Sequence, residues 1–211
     1  MKIIEYDIQK YNFKEIVCEY LSRNNLDKIQ CLSKVLLSKN TDQSTIHHKI
    51  FYKSLDADNK LKNLYDSFIG EIIKPLFGEE FIYQKYPTFR IHYPENIAVF
   101  EFHKDKDYNH NSKEINFFLP ITPAYDTNTI WIESKEDLGD FSPMNANYGQ
   151  IVQFDGANLK HGNKINQTGK TRISFDFRIL MKTDYFETNI NFSITKGKKM
   201  QLGDYFQKFN T

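Results

Sequence analysis

Cysteine is scarce in this chain, two in 211 residues. Neither Cys18 nor Cys31 stands at the spacing of a zinc site or a disulfide framework, and both fall in segments that read as helices. Charge of one sign is also missing. The 28 basic and 27 acidic residues leave a net charge of +1, so no long-range field draws the chain to nucleic acid or to an anionic membrane. Long apolar runs are absent, and the opening Met1-Lys2-Ile3-Ile4-Glu5-Tyr6-Asp7 meets charge too early for the core of a signal peptide. The expectation is a soluble protein of the reducing cytoplasm with no nucleic-acid or membrane partner. The sequons at Asn166 and Asn191 have no consequence without secretion, and the one basic cluster, Lys196-Gly197-Lys198-Lys199, reads as a solvated loop. G-x-S-x-G and G-x-G-x-x-G are absent. Gly169-Lys170-Thr171 resembles the end of a phosphate-binding loop, but Lys164 occupies the upstream glycine position and a strand pattern follows.

What the chain has in quantity is aromatic residues, 15%, enough to fill a sizeable core. The first third repeats at helical spacing. Phe13, Ile16, Val17, Tyr20 and Leu21 form one stripe, with Asn12 and Glu15 placed as a cap pair. A longer stripe runs from Leu61 through Leu64, Tyr65, Phe68, Ile69, Ile72 and Ile73 to Leu76, with an end predicted near Lys74 because Pro75 follows. From about Phe81 the period becomes two. Phe89 to Tyr93, Ile97 to His103, Ile115 to Ile121, Thr129 to Ser134, Ile151 to Phe154 and Arg172 to Leu180 read as short strands. Helices followed by many strands predict an α+β protein, a jelly roll or cupin-like sandwich with N-terminal helices packed on one sheet. No internal boundary is visible, so residues 1–211 read as a single domain, 1–80 a helical buttress and 81–211 the β-sandwich.

Among these strands lies Phe102-His103-Lys104-Asp105. If a strand continues through Asp105, alternation puts Glu101, His103 and Asp105 on one face. His-x-Asp alone is weak evidence in a chain with six histidines. His161, after a strand and the small-residue turn Asp155-Gly156-Ala157-Asn158, supplies a third candidate ligand. Two imidazoles and one carboxylate can hold Fe(II) by one face and leave its other positions open. Asp107 and His110 are rival ligands in a stretch, Lys106 to Ser112, that reads as a flexible loop. His47, His48 and His92 have no partner at ligand spacing, and the first two read as surface residues. Arg172, Ser174, Asp176 and Arg178 share one strand face. If that face lines an interior its charges need partners, and a dicarboxylate suits the fork of Arg172, with Ser174 as a second donor.

The segments His103-Lys104-Asp105, Tyr108-Asn109-His110, Glu114-Ile115-Asn116-Phe117, Thr129-Ile130-Trp131-Ile132-Glu133, Phe154-Asp155-Gly156, His161-Gly162-Asn163 and Thr171 to Arg178 resemble the streptomycin-biosynthesis-type branch of the Fe(II)/2-oxoglutarate-dependent oxygenases. The resemblance runs from about Arg90 to Arg178. It implies a double-stranded β-helix, iron on His103, Asp105 and His161, and the far carboxylate of 2-oxoglutarate on Arg172. Asn116, Trp131, Glu133 and Asn163 recur in the pattern and are carried as pocket residues, Asn116 and Trp131 with Arg172 and Ser174 on the co-substrate and Glu133 and Asn163 on the substrate, with strand packing for Trp131 and turn hydrogen bonds for Asn163 as the structural alternatives.

The expected chemistry is hydroxylation of a small molecule coupled to decarboxylation of 2-oxoglutarate to succinate. Substrate contacts are expected from Arg90, His92, Glu101, Glu133 and Asn163. Carboxylates near the presumed mouth suggest a cationic substrate such as an amino sugar or amino acid, although the same acids could pair with Lys104, Lys160 or Arg178. Two alternatives stay open: a cupin-like metal enzyme that uses no oxo acid, and a non-catalytic β-sandwich binding module. The substrate and the oligomeric state are not legible in the sequence.

Overall fold

In strand Arg172–Met181, Ile173, Phe175, Phe177 and Ile179 point one way into the main apolar core, while Arg172, Ser174, Asp176 and Arg178 point the other. That alternation organises the computed structural model, which describes residues 1–30, 44–99, 101–186, 192 and 198–209. Cys31, Lys196 and Gly197 of the basic cluster, and Asn191 and Ser193 of the second sequon lie outside the described residues.

Ten strands are present among the described residues: β1 Lys2–Glu5, β2 Phe81–Gln84, β3 Thr88–His92, β4 Ile115–Pro120, β5 Ile130–Ile132, β6 Ser142–Pro143, β7 Gln150–Phe154, β8 His161–Asn163, β9 Arg172–Met181 and β10 Phe206–Gln207. A seven-stranded sheet runs in the order β1-β7-β4-β9-β2-β10. β3 also pairs with β9, taking its first half while β2 takes its second. A three-stranded sheet, β6-β5-β8, lies apart from it. All of these pairings are antiparallel.

Three helices, α1 Phe13–Leu21, α2 Ile46–Ala57 and α3 Lys60–Phe68, share the main core cluster with the large sheet. Asn12 caps α1 by accepting from the Glu15 backbone N–H, and its amide in turn donates to the Glu15 carboxylate, as the cap pair predicts. The long stripe continues past α3 as a wider turn, Ile69–Ile73, and a tighter one, Lys74–Leu76, before Phe77 turns extended. Phe51 of α2 stacks on Phe89 of β3 with ring centroids 4.0 Å apart, and Phe117 of β4 stacks on Phe177 of β9 at 5.0 Å. The first pair joins helix to sheet and the second joins neighbouring strands, each contributing apolar burial of about 25 cal/mol per Å². On the sheet's other face Phe118, Val152 and Phe154 pack with Ile130 and Ile132 of the small sheet. The polar residues of β9 therefore lie between the two sheets.

Three expectations need correction. Ile97 to His103 is not a strand: its described residues run as bends, and His103 makes only a single bridge, to His161. Pro94 and the turn that follows interrupt the extended run. His47 and His48 are buried, His47 against the Tyr93 hydroxyl at 2.7 Å and His48 edge-on to Phe89, because α2 turns this side toward β3. The Lys106 to Ser112 stretch is folded, beginning in a 3₁₀ turn, Asp105–Tyr108. No helix among the described residues is long and apolar enough to cross a membrane.

Candidate metal centre

The three proposed ligands meet by a route different from strand alternation. His103 and His161 stand opposite each other in an antiparallel bridge, each backbone N–H donating to the other's carbonyl at 2.9 Å. Residues so opposed send their side chains to the same face, and the two rings lie with centroids 4.7 Å apart. Gly162 permits this approach, since a Cβ there would fall 2.9 Å from the Phe102 ring and 3.0 Å from its Cα. Asp105 then enters from the 3₁₀ turn, fixed by donation of its N–H to the Gly156 carbonyl at 2.9 Å.

Ring orientation follows from two short local contacts. Nδ1 of His103 lies 2.9 Å from the Glu101 carbonyl, and Nδ1 of His161 lies 3.0 Å from the Leu159 carbonyl. A carbonyl only accepts, so both Nδ1 atoms carry the proton and both Nε2 lone pairs are left to face the site. Those Nε2 atoms sit 3.5 and 3.8 Å from Asp105 Oδ1, and one ligand atom from each of the three residues lies within 4.8 Å of the others. Two neutral nitrogen donors and one anionic oxygen, each oriented by a backbone or side-chain partner, fit a divalent metal.

Protonation states agree with that set. Burial pushes the His161 imidazole down to about 4 against the opposing pull of Asp105, so it is neutral and a competent ligand at neutral pH. At Asp105 burial pushes the pKa up, but the Arg178 guanidinium, the His103 contact and the His161 ring outweigh it and hold the carboxyl well below its usual range. Asp105 Oδ2 accepts from Arg178 Nε at 2.9 Å, Arg178 Nη2 at 2.7 Å and Asn116 Nδ2 at 2.6 Å.

A cavity opens beside these residues. Arg90, Asn116, Asn163, Arg172, Asp176 and Arg178 supply its polar wall, and Val99, Ile130 and Phe154 its apolar one. Arg172 is 1% exposed; its Nε donates to the Asn128 carbonyl at 3.0 Å and its Nη1 to Ser174 Oγ at 2.7 Å, with Phe118 under the guanidinium. Asn163 donates to the Thr129 carbonyl, and Arg90 pairs with Asp176 at 3.1 Å.

Five residues expected at the pocket are not in its wall, and the first, Ser174, accepts from Arg172 and fixes it from beside the cavity. Both nitrogens of His92 contact carbonyls, of Asn128 and Asn96, and burial with the neighbouring Arg172 holds it down to about 3. It is a buried prop behind Arg172. Glu133 accepts backbone N–H groups of Lys160 and Gly139 and organises a turn. Trp131 faces away from its buried strand neighbours, with its N–H on the Asp126 carbonyl and Lys164 over its ring. Glu101 is exposed, and its carboxylate accepts from the Tyr108 hydroxyl. Rival ligand His110 is held by Glu114 at 2.7 Å. Asp176 and Arg178 also line the cavity. The period-two pattern that selected Arg172 and Ser174 also carries both of them to this face.

A buttressed antiparallel fold with two histidines and an aspartate converging beside an arginine-walled cavity defines a protein built to hold a metal by one face. Comparison with known proteins narrows this. No family model matches the chain. The streptomycin biosynthesis protein StrG of Streptomyces griseus is 33% identical over 204 residues, 96% of each chain. The chain therefore belongs to the family of the streptomycin biosynthesis protein StrG. Among solved structures, apo EctD from S. alaskensis covers 92% of this chain and 77% of its own at 13% identity, with a TM-score of 0.52, a likeness of fold. EctD with 2-oxoglutarate and 5-hydroxyectoine covers 88% and 73%, at 13% identity and a TM-score of 0.48.

Proposed function

We propose that this chain is an Fe(II)- and 2-oxoglutarate-dependent oxygenase that hydroxylates a small molecule on a double-stranded β-helix scaffold. One observation carries the reading: the Nδ1 atoms of both histidines are held by backbone carbonyls, which aims both Nε2 atoms at Asp105 Oδ1, the carboxylate oxygen that takes no arginine or amide donor among the described residues. His103, Asp105 and His161 would hold the iron. When bound, the iron would supply activation of dioxygen, one oxygen atom going into succinate as 2-oxoglutarate loses carbon dioxide and the other into the substrate hydroxyl.

The chain's own residues bind, orient and enclose. Arg172, pinned by Asn128 and Ser174, presents a fixed cation to the far carboxylate, and Phe118, Ile130 and Phe154 keep water from its surroundings. The cavity is narrow, about 40 Å³, so seating a dicarboxylate requires its wall, with Val99 and Arg90 as the candidates, to move aside. On the substrate side, Asn116 Oδ1 and Asp176 Oδ1 are buried acceptors with no partner among the described residues. Hydroxyl or ammonium donors satisfy them, which supports an amino sugar or an amino acid as the substrate class.

The test is succinate formation and oxygen uptake by protein loaded anaerobically with Fe(II), then given 2-oxoglutarate, air and a panel of amino sugars and basic amino acids. Iron-dependent succinate, abolished in His161→Ala, is expected. Iron binding with no succinate and no oxygen uptake under any co-substrate supports the cupin-like or binding-module alternative instead.

A further inference from the structure

An arginine fork usually closes on a carboxylate with one nitrogen for each oxygen. At Asp105 it does not. Nε and Nη2 of Arg178 both donate to Oδ2, and the Asn116 amide adds a third donor to the same atom. Oδ1 receives no guanidinium or amide donor among the described residues and is the atom facing both imidazoles. The guanidinium is itself held from behind. Its Nη1 donates to the Tyr205 hydroxyl at 3.3 Å, Tyr205 donates to Gln84 Oε1 at 2.9 Å, and Glu114 lies 3.7 Å from Nε. Glu114 is anchored in turn by His110 and by the Asn111 backbone N–H at 3.0 Å. A chain of buried groups from β2, β4, β9 and the segment before β10 therefore fixes which carboxylate oxygen is available.

We propose that Arg178 is a positioning residue that, with Asn116, keeps Asp105 a one-oxygen ligand. The inference rests on the metal-binding reading above and goes beyond it. A carboxylate can bind a metal through one oxygen or two. With both oxygens engaged, one of the open positions beside the histidines is filled and a chelating oxo acid competes for what remains. Three donors crowded on Oδ2 remove that option, so one face of the ion stays open. The arrangement also keeps a fixed positive charge against the ligand carboxylate without placing a further side chain on the metal.

Mn(II) alone is a suitable probe, because the water relaxation it causes reports how many waters it keeps. Wild-type protein and Arg178→Met are titrated with Mn(II), and relaxivity and 2-oxoglutarate affinity are measured on the loaded forms. The variant is expected still to bind Mn(II), with relaxivity lower by about a third as one of the three open positions is filled, and 2-oxoglutarate affinity lower by about tenfold. Unchanged relaxivity overturns the inference. So does a folded variant that no longer binds Mn(II), since Arg178 would then only hold Asp105 in place. If Arg178→Met does not fold, Arg178→Lys with Asn116→Val keeps a cation beside Glu114 while stripping donors from Oδ2. The same loss of relaxivity is expected there, and its absence overturns the inference equally. A wild-type protein that binds no Mn(II) instead overturns the metal-binding reading and this inference with it.

Discussion

Replacing Arg172 by alanine isolates the co-substrate grip. Arg172 is among the largest fully buried side chains, and its position is set by Asn128, Ser174 and the face of Phe118. A charge-assisted hydrogen bond to a carboxylate contributes about 1.5–3 kcal/mol. At about 1.4 kcal/mol per tenfold, its loss raises the Kd for 2-oxoglutarate by about 10- to 150-fold. Ser174→Ala, which removes a neutral partner worth about 0.5–1.5 kcal/mol, raises it by about 2- to 12-fold. The assay is an anaerobic titration of the Fe(II) protein with 2-oxoglutarate, followed by the visible charge-transfer absorbance of the chelated oxo acid. A 2-oxo acid without the far carboxylate supplies the control. It binds wild type and Arg172→Ala about equally if the guanidinium recognises that carboxylate, whereas a collapsed cavity weakens both ligands alike. An Arg172→Ala variant that keeps its metal and binds 2-oxoglutarate within about twofold of wild type would falsify the role given to Arg172.

Gly156→Ala places a Cβ 2.8 Å from both Asn116 Nδ2 and the Phe154 ring. Urea unfolding should show about 1–3 kcal/mol of lost stability, with weaker Mn(II) binding as Asn116 is displaced from Asp105. Phe89→Ala removes the ring that α2 stacks on and should cost about 3–5 kcal/mol by the same measurement. The metal-free protein should lose stability as the pH falls from about 6.5 toward 4. His161 and His92 have folded pKa values depressed from 6.5 to about 4 and about 3, so the unfolded chain takes up protons first in this window. A urea midpoint that rises or stays level between pH 7 and 4.5 contradicts this sign.

How much of this was legible depended on whether a residue's role is set locally or across the fold. The α1 cap, the end of the long helical stripe and the inward face of β9 all follow from nearest-neighbour geometry, and each is found where its pattern puts it. β1 was missed because its isolated pattern is short. It exists through pairing with β7, a partner almost 150 residues away. His47 and His48 depart from the surface expectation for a related reason: helical spacing marks a stripe but not its width, and Tyr93, just past β3, and Phe89 of β3 recruit the two rings into the core.

At the site the same division runs through single residues. His103 and Asp105 were paired by a strand that does not form, yet they meet, because the bridge to His161 and the Gly156 contact do the work assigned to alternation. A motif can thus report that residues converge while misreporting the backbone that brings them together. Glu133 and Trp131 show the reverse. Their place in a family pattern reads as chemistry, while their hydrogen bonds close a turn and anchor a strand. What sequence could not supply was the allocation of donors between the two oxygens of Asp105. That depends on three side chains from separate strands and turns meeting within 3 Å, and Arg178 acquires its role only where β9 passes behind Asp105.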